Sequence, residues 1–286
     1  MWAFINDQFV KAEQAVLPVS DLSIQRGYGV FDFFRTVEKV PLFIDDHLDR
    51  LQHSASVLRL LLPFSKDELK NIVHELIGKN DLSTSGIRIT VTGGNATDTY
   101  TPTSPNMVIT QNPLTMDEVF DASKGLQLIT EEYVRELPTV KSINYMMGVY
   151  LQTKVKDAGA DDVLYVKNGI ISELVRSNVF IITKDEELLT PDANVLHGIT
   201  RKQILQLAKK IITVKEQPVT IDDVLNAKEM FVSSTTKRLL RVFSVNGTQI
   251  GNSSSGTVTA NLFQRFLELE REAISIAELS VLKQLR

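Results

Sequence analysis

Lys141 sits in the run Pro138-Thr139-Val140-Lys141-Ser142-Ile143-Asn144-Tyr145, where an extended segment is expected to give way to a helix. A cation is unfavourable beside a helix N-terminus. A depressed pKa there would favour the free amine that carbonyl chemistry requires, and the plain alternative is a solvated lysine. Glu173 lies four residues past Asn168-Gly169, inside the apolar run Ile170 to Ile182. Strand alternation puts Ile171, Glu173 and Val175 on one face. A carboxylate on an apolar face calls for a cationic partner, either a neighbouring Arg or Lys or a bound cofactor.

Two small-residue clusters suit an anion. In His197-Gly198-Ile199-Thr200-Arg201 a glycine turn would expose the first N–H groups of a helix. In Ser233-Ser234-Thr235-Thr236 hydroxyls follow the strand-like Met230-Phe231-Val232. Either is also compatible with an ordinary cap or turn. Arg50 adds a fixed positive charge, although Asp46 and Arg50 are spaced for a surface i,i+4 pair.

Composition narrows the chemistry further. The 286 residues contain no cysteine, which excludes a disulfide scaffold, a thiolate metal site and a cysteine nucleophile. His47, His53, His74 and His197 are scattered, without a metal-ligand spacing. A net charge of −4 gives no global reason to bind nucleic acid or an anionic membrane. No apolar run approaches the roughly 20 residues of a membrane helix, and MWAFINDQFV does not read as a signal peptide. These features point to a cytoplasmic chain of two domains.

The elements that must position these residues alternate between β and α. A hairpin is expected around Asn6-Asp7-Gln8, with strands at Val30–Val37 and Val40–Ile44 on either side of a Glu38-Lys39 turn. Asp45 or Asp46 would cap the next helix, whose apolar positions Leu48, Leu51, Ala55, Leu58 and Leu62 recur at helical spacing. A helix at Lys66–Ile77 and strands at Ile87–Thr92 and Met107–Thr110 come next. After a linker at 114–124 come a strand at Leu126–Thr130 and a helix from Ile143 to Asp157, stopped by Gly159. Strands at Asp162–Val166 and Ile170–Ile182 are joined by a type I′ turn at Asn168-Gly169. Helices at Gly198–Ile212, Ile221–Asn226 and Thr257–Ala273 and strands at Phe231–Ser234 and Leu240–Val245 complete an α+β chain. Ser253-Ser254-Ser255 is its one low-complexity patch.

From about Asp21 to Val245 the sequence resembles the class IV pyridoxal-phosphate aminotransferases, the group of branched-chain aminotransferase, D-amino-acid aminotransferase and aminodeoxychorismate lyase. Six ordered motifs carry the resemblance: Asp21 with Gly27-Tyr28-Gly29-Val30-Phe31, His47-Leu48-Asp49-Arg50-Leu51, Lys141-Ser142-Ile143-Asn144-Tyr145, Glu173 with Ser177-Asn178-Val179-Phe180, Leu196 with Gly198-Ile199-Thr200-Arg201, and Ser233-Ser234-Thr235-Thr236. The resemblance implies a fold-type IV enzyme with a small N-terminal α/β domain (1–113) and a larger β-rich α/β domain (125–286) carrying the lysine. It implies pyridoxal 5′-phosphate as cofactor, held between the domains of a homodimer, and an amino acid and a 2-keto acid as substrates. Lys141 matches the Schiff-base lysine and Glu173 the partner of the pyridine nitrogen. Arg50, Ile199, Thr200, Ser234 and Thr235 match the phosphate-binding groups, and Tyr145 the tyrosine that meets the ring hydroxyl.

Departures bear on substrate. Phe31 replaces a tyrosine that often lines the pocket, and with Arg88 and Thr236 it forms the expected substrate contacts. Gly93 stands where the D-amino-acid enzymes carry a carboxylate-binding arginine, whereas Arg88 matches an arginine of the branched-chain enzymes. Phe33 occupies the place of the lyase's loop threonine. The resemblance therefore favours amino transfer of the branched-chain type, with pyruvate-releasing lyase and D-amino-acid transfer as the alternatives. Leu174-Val175-Arg176 and Lys237-Arg238 depart from the family pattern, and roles for Arg26, Arg35, Arg176 and Arg238 are not legible.

Overall fold

The computed structural model describes residues 1–251 and 256–284, so the expected patch Ser253–Ser255 lies outside the described residues. The chain forms two compact units. One comprises Met1–Thr115, Val140–Asn144 and the last turns of the C-terminal helix from Glu272; the other comprises Met116–Thr139 and Tyr145–Arg271.

The first unit contains β1 (Trp2–Ile5), β2 (Gln8–Lys11), α1 (Leu22–Arg26), β3 (Gly29–Val37), β4 (Val40–Pro41), α2 (Ile44–Val57), α3 (Lys66–Asn80), β5 (Ser85–Thr92) and β6 (Met107–Pro113). Its strands pair antiparallel in the order β2-β1-β6-β5-β3-β4. Glu38 and Lys39 both take positive φ, the type I′ geometry that suits a two-residue hairpin. The strand after this turn is shorter than expected. Phe43, at φ 55°, turns the chain directly into α2. Asp45 and Asp46 consequently lie in the first turn of α2 rather than at its cap, where they still face the positive end of the helix. A Ser65/Glu68 capping box starts α3. Leu48, Leu51 and Ala55 of α2 and Val73 and Leu76 of α3 bury against Phe34, Ile87, Ile89, Met107 and Ile109 of the sheet.

The second unit contains β7 (Gly125–Glu132), α4 (Met146–Tyr150), α5 (Gln152–Asp157), β8 (Asp162–Lys167), β9 (Ile170–Leu174), β10 (Asn178–Ile182), β11 (Glu187–Thr190), α6 (Ile199–Ala208), β12 (Thr213–Glu216), α7 (Ile221–Leu225), β13 (Glu229–Ser234), β14 (Arg238–Val245), β15 (Thr248–Gln249) and the first part of α8 (Thr257–Gln284). The sheet runs β12-β11-β10-β13-β14-β7-β8-β9, and pairing of Asn178 with Glu173 joins β10 back to β9. Six strands thus close into a ring, lined by Leu164, Ile171, Val179, Val232 and Val242 among others. Phe180 and Phe231 stack outside that cluster with centroids 4.8 Å apart.

The structure also departs from expectation further along the chain. The apolar run 170–182 is two strands, because the chain reverses at 175–177, where Leu174 N–H donates to Ser177 O. Helix starts at Met146, not Ile143, and is broken at Leu151. Residues 141–143 spend their backbone groups on β3 instead: Phe31 N–H donates to Lys141 O and Ile143 N–H to Gly29 O. For the same reason residues 140–144, Lys141 included, belong to the first unit rather than to a continuous domain 125–286. Gly159, at φ 62°, does end the helix. Its N–H bonds Lys156 O while Ala160 N–H bonds Val155 O, a Schellman motif.

Arg238 opens β14 and is buried against Glu270 of α8, with Nε 3.0 Å and Nη2 2.9 Å from Oε2. It also donates to Asp117 O. These partners assign it a structural role. Removing one partner of a buried pair strands the other charge, so Glu270→Ala should destabilise the protein by about 3–5 kcal/mol in urea unfolding. The double variant Glu270→Leu/Arg238→Met should recover much of that loss.

Candidate active site

In β3 the side chains of Phe31 and Asp32 point to opposite faces. Asp32 is fully buried under α2. Arg50 grips it in a fork, Nε to Oδ2 at 2.8 Å and Nη2 to Oδ1 at 2.8 Å. His47 Nδ1 lies 2.7 Å from Oδ1. Burial alone would raise the Asp32 pKa, but the charge and hydrogen bonds of Arg50 and His47 overcome it and hold the carboxyl far below its usual range. Burial pushes the His47 pKa down, and the nearby charges of Arg50 and Lys141 act the same way against the pull of Asp32. The imidazole is therefore neutral, and because a carboxylate only accepts, the Nδ1–H must donate to it. The plane of the Arg50 guanidinium is fixed from below by Asp32.

Lys141 belongs to the same unit. Its N–H donates to Ser54 Oγ at 3.1 Å and its carbonyl accepts from Phe31 N–H at 2.9 Å. Its Nζ lies 4.6 Å from the centroid of the Phe31 ring, and the Arg88 guanidinium carbon lies 3.7 Å from the same centroid. One aromatic ring thus contacts both cations. A helix-dipole effect on Lys141 is not supported, since α4 begins five residues later. The charges that surround this lysine are side chains.

In the second unit Glu173 is buried in β9, 5% exposed. Arg135 Nε and Nη2 both lie 2.7 Å from Oε1, and Leu196 N–H donates to Oε2 at 2.9 Å. Asn178 pairs with Glu173 on one side and Ser233 on the other, so the three share one row of the sheet. Ile199 and Thr200 are the first residues of α6, whose N-cap is Gly198 with no side-chain cap. A Cβ on Gly198 would sit 2.1 Å from Asn178 Oδ1, so a larger residue would displace the Asn178 side chain, whose amide donates to Leu196 O. Ser234 Oγ accepts from Lys237 N–H at 3.2 Å, and Thr235 and Thr236 fill the turn between them. Tyr145 immediately precedes α4.

The expected residues fall into two sets, each assembled within its own unit: Phe31, Arg50, Arg88 and Lys141 in one, and Tyr145, Glu173, Ile199, Thr200, Ser234, Thr235 and Thr236 in the other. Sequence reasoning missed Arg135 and Asp32, and it named Ser177 and Ser233 only as members of motifs. The Ser177 and Ser233 hydroxyls are buried without a hydrogen-bond partner. Asp32 was detectable by the logic applied to Glu173, a carboxylate inside an apolar run. The first unit thus offers a lysine amine and a fixed guanidinium, and the second an uncapped helix start, small hydroxyls and a buried carboxylate already set by an arginine.

The sequence profile of the family described as amino-transferase class IV matches residues 29–245. The chain is 31% identical over 284 residues to the D-alanine aminotransferase of Listeria monocytogenes, covering 94% of this chain and 96% of that protein. The D-alanine aminotransferase of Bacillus licheniformis is 29% identical over 268 residues, with 92% and 94% covered. Among solved structures, the branched-chain amino acid aminotransferase of Escherichia coli superposes with a TM-score of 0.86 at 28% identity, covering 94% of each chain.

The neutral, buried His47 makes stability depend on pH. Unfolded, its imidazole takes a proton below its ordinary value of 6.5; folded, it resists doing so. The unfolded state then binds more protons, and stability falls as pH drops from about 7 to 5. Asp32 contributes no slope in that window, because its stabilisation is lost only below its ordinary 3.8. Urea midpoints at several pH values should show His47→Gln with a flatter slope than the parent between pH 7 and 5; equal slopes would refute the assignment.

Proposed function

Because the chain belongs to the class IV aminotransferases, enzymes that use pyridoxal 5′-phosphate, we propose that it exchanges an amino group between an amino acid and a 2-keto acid with this cofactor, and that Lys141 is the residue bonding the cofactor's aldehyde. The observation that carries the reading is the clamp on Lys141: its backbone is tied to Phe31 and Ser54, which fixes where its amine emerges, in the same unit as the Asp32-anchored Arg50. When bound, the cofactor supplies an electron sink for a carbanion at the substrate Cα. The protein's part is to bind, orient and move protons. Lys141 carries the proton at the substrate Cα. Glu173 holds a proton on the ring nitrogen, and Arg135 orients that carboxylate. Arg50, the N–H groups of Ile199 and Thr200, and the hydroxyls of Ser234 and Thr235 bind the phosphate; Tyr145 meets the ring hydroxyl. Phe31, Arg88 and Thr236 meet the substrate.

For the substrate we favour an L-amino acid of the branched-chain type. Gly93 supports this: the chain carries no arginine at the position that matches the carboxylate-binding arginine of the D-amino-acid enzymes, and the Leu22 and Tyr28 side chains pack to 2.9 Å of where a Cβ would stand. We also propose a cytoplasmic homodimer. Met146, Val149 and Tyr150 expose an apolar face on α4 that suits a subunit contact.

The purified protein should show the visible absorption band of bound pyridoxal phosphate, and Lys141→Ala should lose the band and at least roughly 10²–10⁴-fold of the amino-transfer rate. A parent protein that cannot be loaded with the cofactor would overturn the reading. Turnover that requires a 2-keto acid acceptor separates amino transfer from the lyase, and a screen of L- and D-amino acids should give spectral change with L-leucine or L-valine. A response to D-alanine alone would reverse the substrate assignment.

A further inference from the structure

Two residues of β3 and two of α2 form a closed frame around Lys141. In β3, Phe31 N–H donates to Lys141 O at 2.9 Å, and the neighbouring Asp32 holds the Arg50 guanidinium. In α2, Arg50 and Ser54 stand one turn apart, on the stripe that also carries His47. Ser54 Oγ closes the frame by accepting Lys141 N–H at 3.1 Å. The two backbone polar groups of Lys141 are thus spent on different elements, its carbonyl on β3 and its N–H on α2.

Three sides of this frame are rigid. Neighbours in a strand and residues one helical turn apart keep set spacings, about 3.3 Å and about 6 Å along their axes. The third side is the Arg50 fork on Asp32, whose carboxylate is fully buried. Lys141 completes the frame and is held at both ends of its own residue. Ser54 is fully buried as well, so bulk water does not compete for the Lys141 N–H. Without that acceptor Lys141 keeps its bond to Phe31 and is free to pivot about it, with its N–H left unpaired.

We propose that Ser54 is a positioning residue that holds the Lys141 amine at a set distance from the Arg50 guanidinium, so that the protein selects an aldehyde bearing a phosphate over the same aldehyde without one. This rests on the function proposed above, in which Arg50 binds the phosphate and Lys141 bonds the aldehyde. Lys141 Nζ adds to the aldehyde carbon, a C=N bond forms and the aldehyde oxygen leaves as water. Borohydride then delivers hydride to that carbon and fixes the bond for mass spectrometry of the Lys141 peptide. Pyridoxal 5′-phosphate and pyridoxal serve as probes, since they differ by the phosphate alone. Full-length protein freed of cofactor should bond the phosphorylated aldehyde faster at Lys141. Ser54→Ala should cut the ratio of the two rates by roughly tenfold or more, because a misplacement of about 1 Å can cost about 10²-fold. Ser54→Thr, which keeps the hydroxyl, should retain most of the ratio. Ser54→Cys, close to serine in size but a weak acceptor, should lower it and stands in if the alanine variant does not fold. Melting temperatures near that of the parent identify the folded variants. In an Arg50→Gln background Ser54→Ala should leave the ratio nearly unchanged, since the two residues act as a pair. A ratio unmoved by Ser54→Ala and Ser54→Cys, or cut equally with and without Arg50, would overturn the proposal. A parent that favours the phosphorylated aldehyde whatever stands at position 54 refutes the proposal alone, whereas a parent that bonds neither aldehyde at Lys141 refutes the function with it.

Discussion

The pairing of residues 141–143 with the edge of β3 sets the course of the chain on both sides of Lys141. A peptide group has one donor and one acceptor, and those of Lys141 and Ile143 are committed to Phe31 and Gly29. They cannot also enter a helix, so α4 begins only at Met146. Close approach requires a small residue at position 29, where a Cβ would lie 2.8 Å from Val91 O and 3.1 Å from Ile143 Cδ1. The second glycine of Gly27-Tyr28-Gly29 is therefore a packing requirement set first by the backbone of β5 and then by Ile143 of the lysine segment. A segment tied by backbone hydrogen bonds holds its side chain more rigidly than a loop does, which is what a group that must meet a reacting atom needs.

The buried carboxylates show how the fold handles charge, some through neutral donors and some through an arginine. Asp21 is fully buried, with neutral donors supplied by Ser23, Thr92 and Asn106; the carboxylate serves to cap α1 and hold the neighbouring loop. Glu229 takes the N–H groups of Val258 and Thr259 and so starts α8. Asp32 and Glu173 differ, since each is gripped by an arginine. An arginine on a buried carboxylate fixes two groups together: it keeps the acid charged and sets the plane of the guanidinium. Asp32 lends that order to Arg50, whereas Arg135 lends it to Glu173. The roles run in opposite directions with the same pairing.

Local signals in the sequence were sufficient wherever local chemistry decided the outcome. The turns at Glu38-Lys39 and Asn168-Gly169, the helix stop at Gly159 and the apolar stripe of α2 depend on a few adjacent residues, and each was legible. Lys141, Glu173 and Arg50 were legible as residues that could do chemistry, and the small-residue motifs marked Ile199 and Ser234. What stayed hidden was decided by distant partners. Nothing near Ile143 shows that its N–H is claimed by Gly29, and the periodicity of 143–157 is that of a helix all the same. The run 170–182 reads as one strand because both arms are apolar; the reversal at 175–177 arises because β10 pairs with β9 and β13 at once. Arg135 had no signature of its own, since its importance comes from Glu173, 38 residues away.

The arginines illustrate how structure converts an ambiguous inventory into assignments. Sequence left Arg26, Arg35, Arg176 and Arg238 equivalent, each a fixed charge of unknown use. Arg238 is now explained by Glu270, Arg26 by its bonds to Gln25 O and Thr99 Oγ1, and Arg201, another buried guanidinium, by Glu216 and Pro191 O. Arg35 is buried in β3. Desolvating a guanidinium is costly, so a fold buries one only where acceptors repay it. Arg176 follows neither pattern. It is exposed, lacks an internal acceptor among the described residues, and stands beside a half-buried lysine and a carboxylate at one end of the ring. An exposed guanidinium keeps its hydration, so the fold need supply it no acceptor.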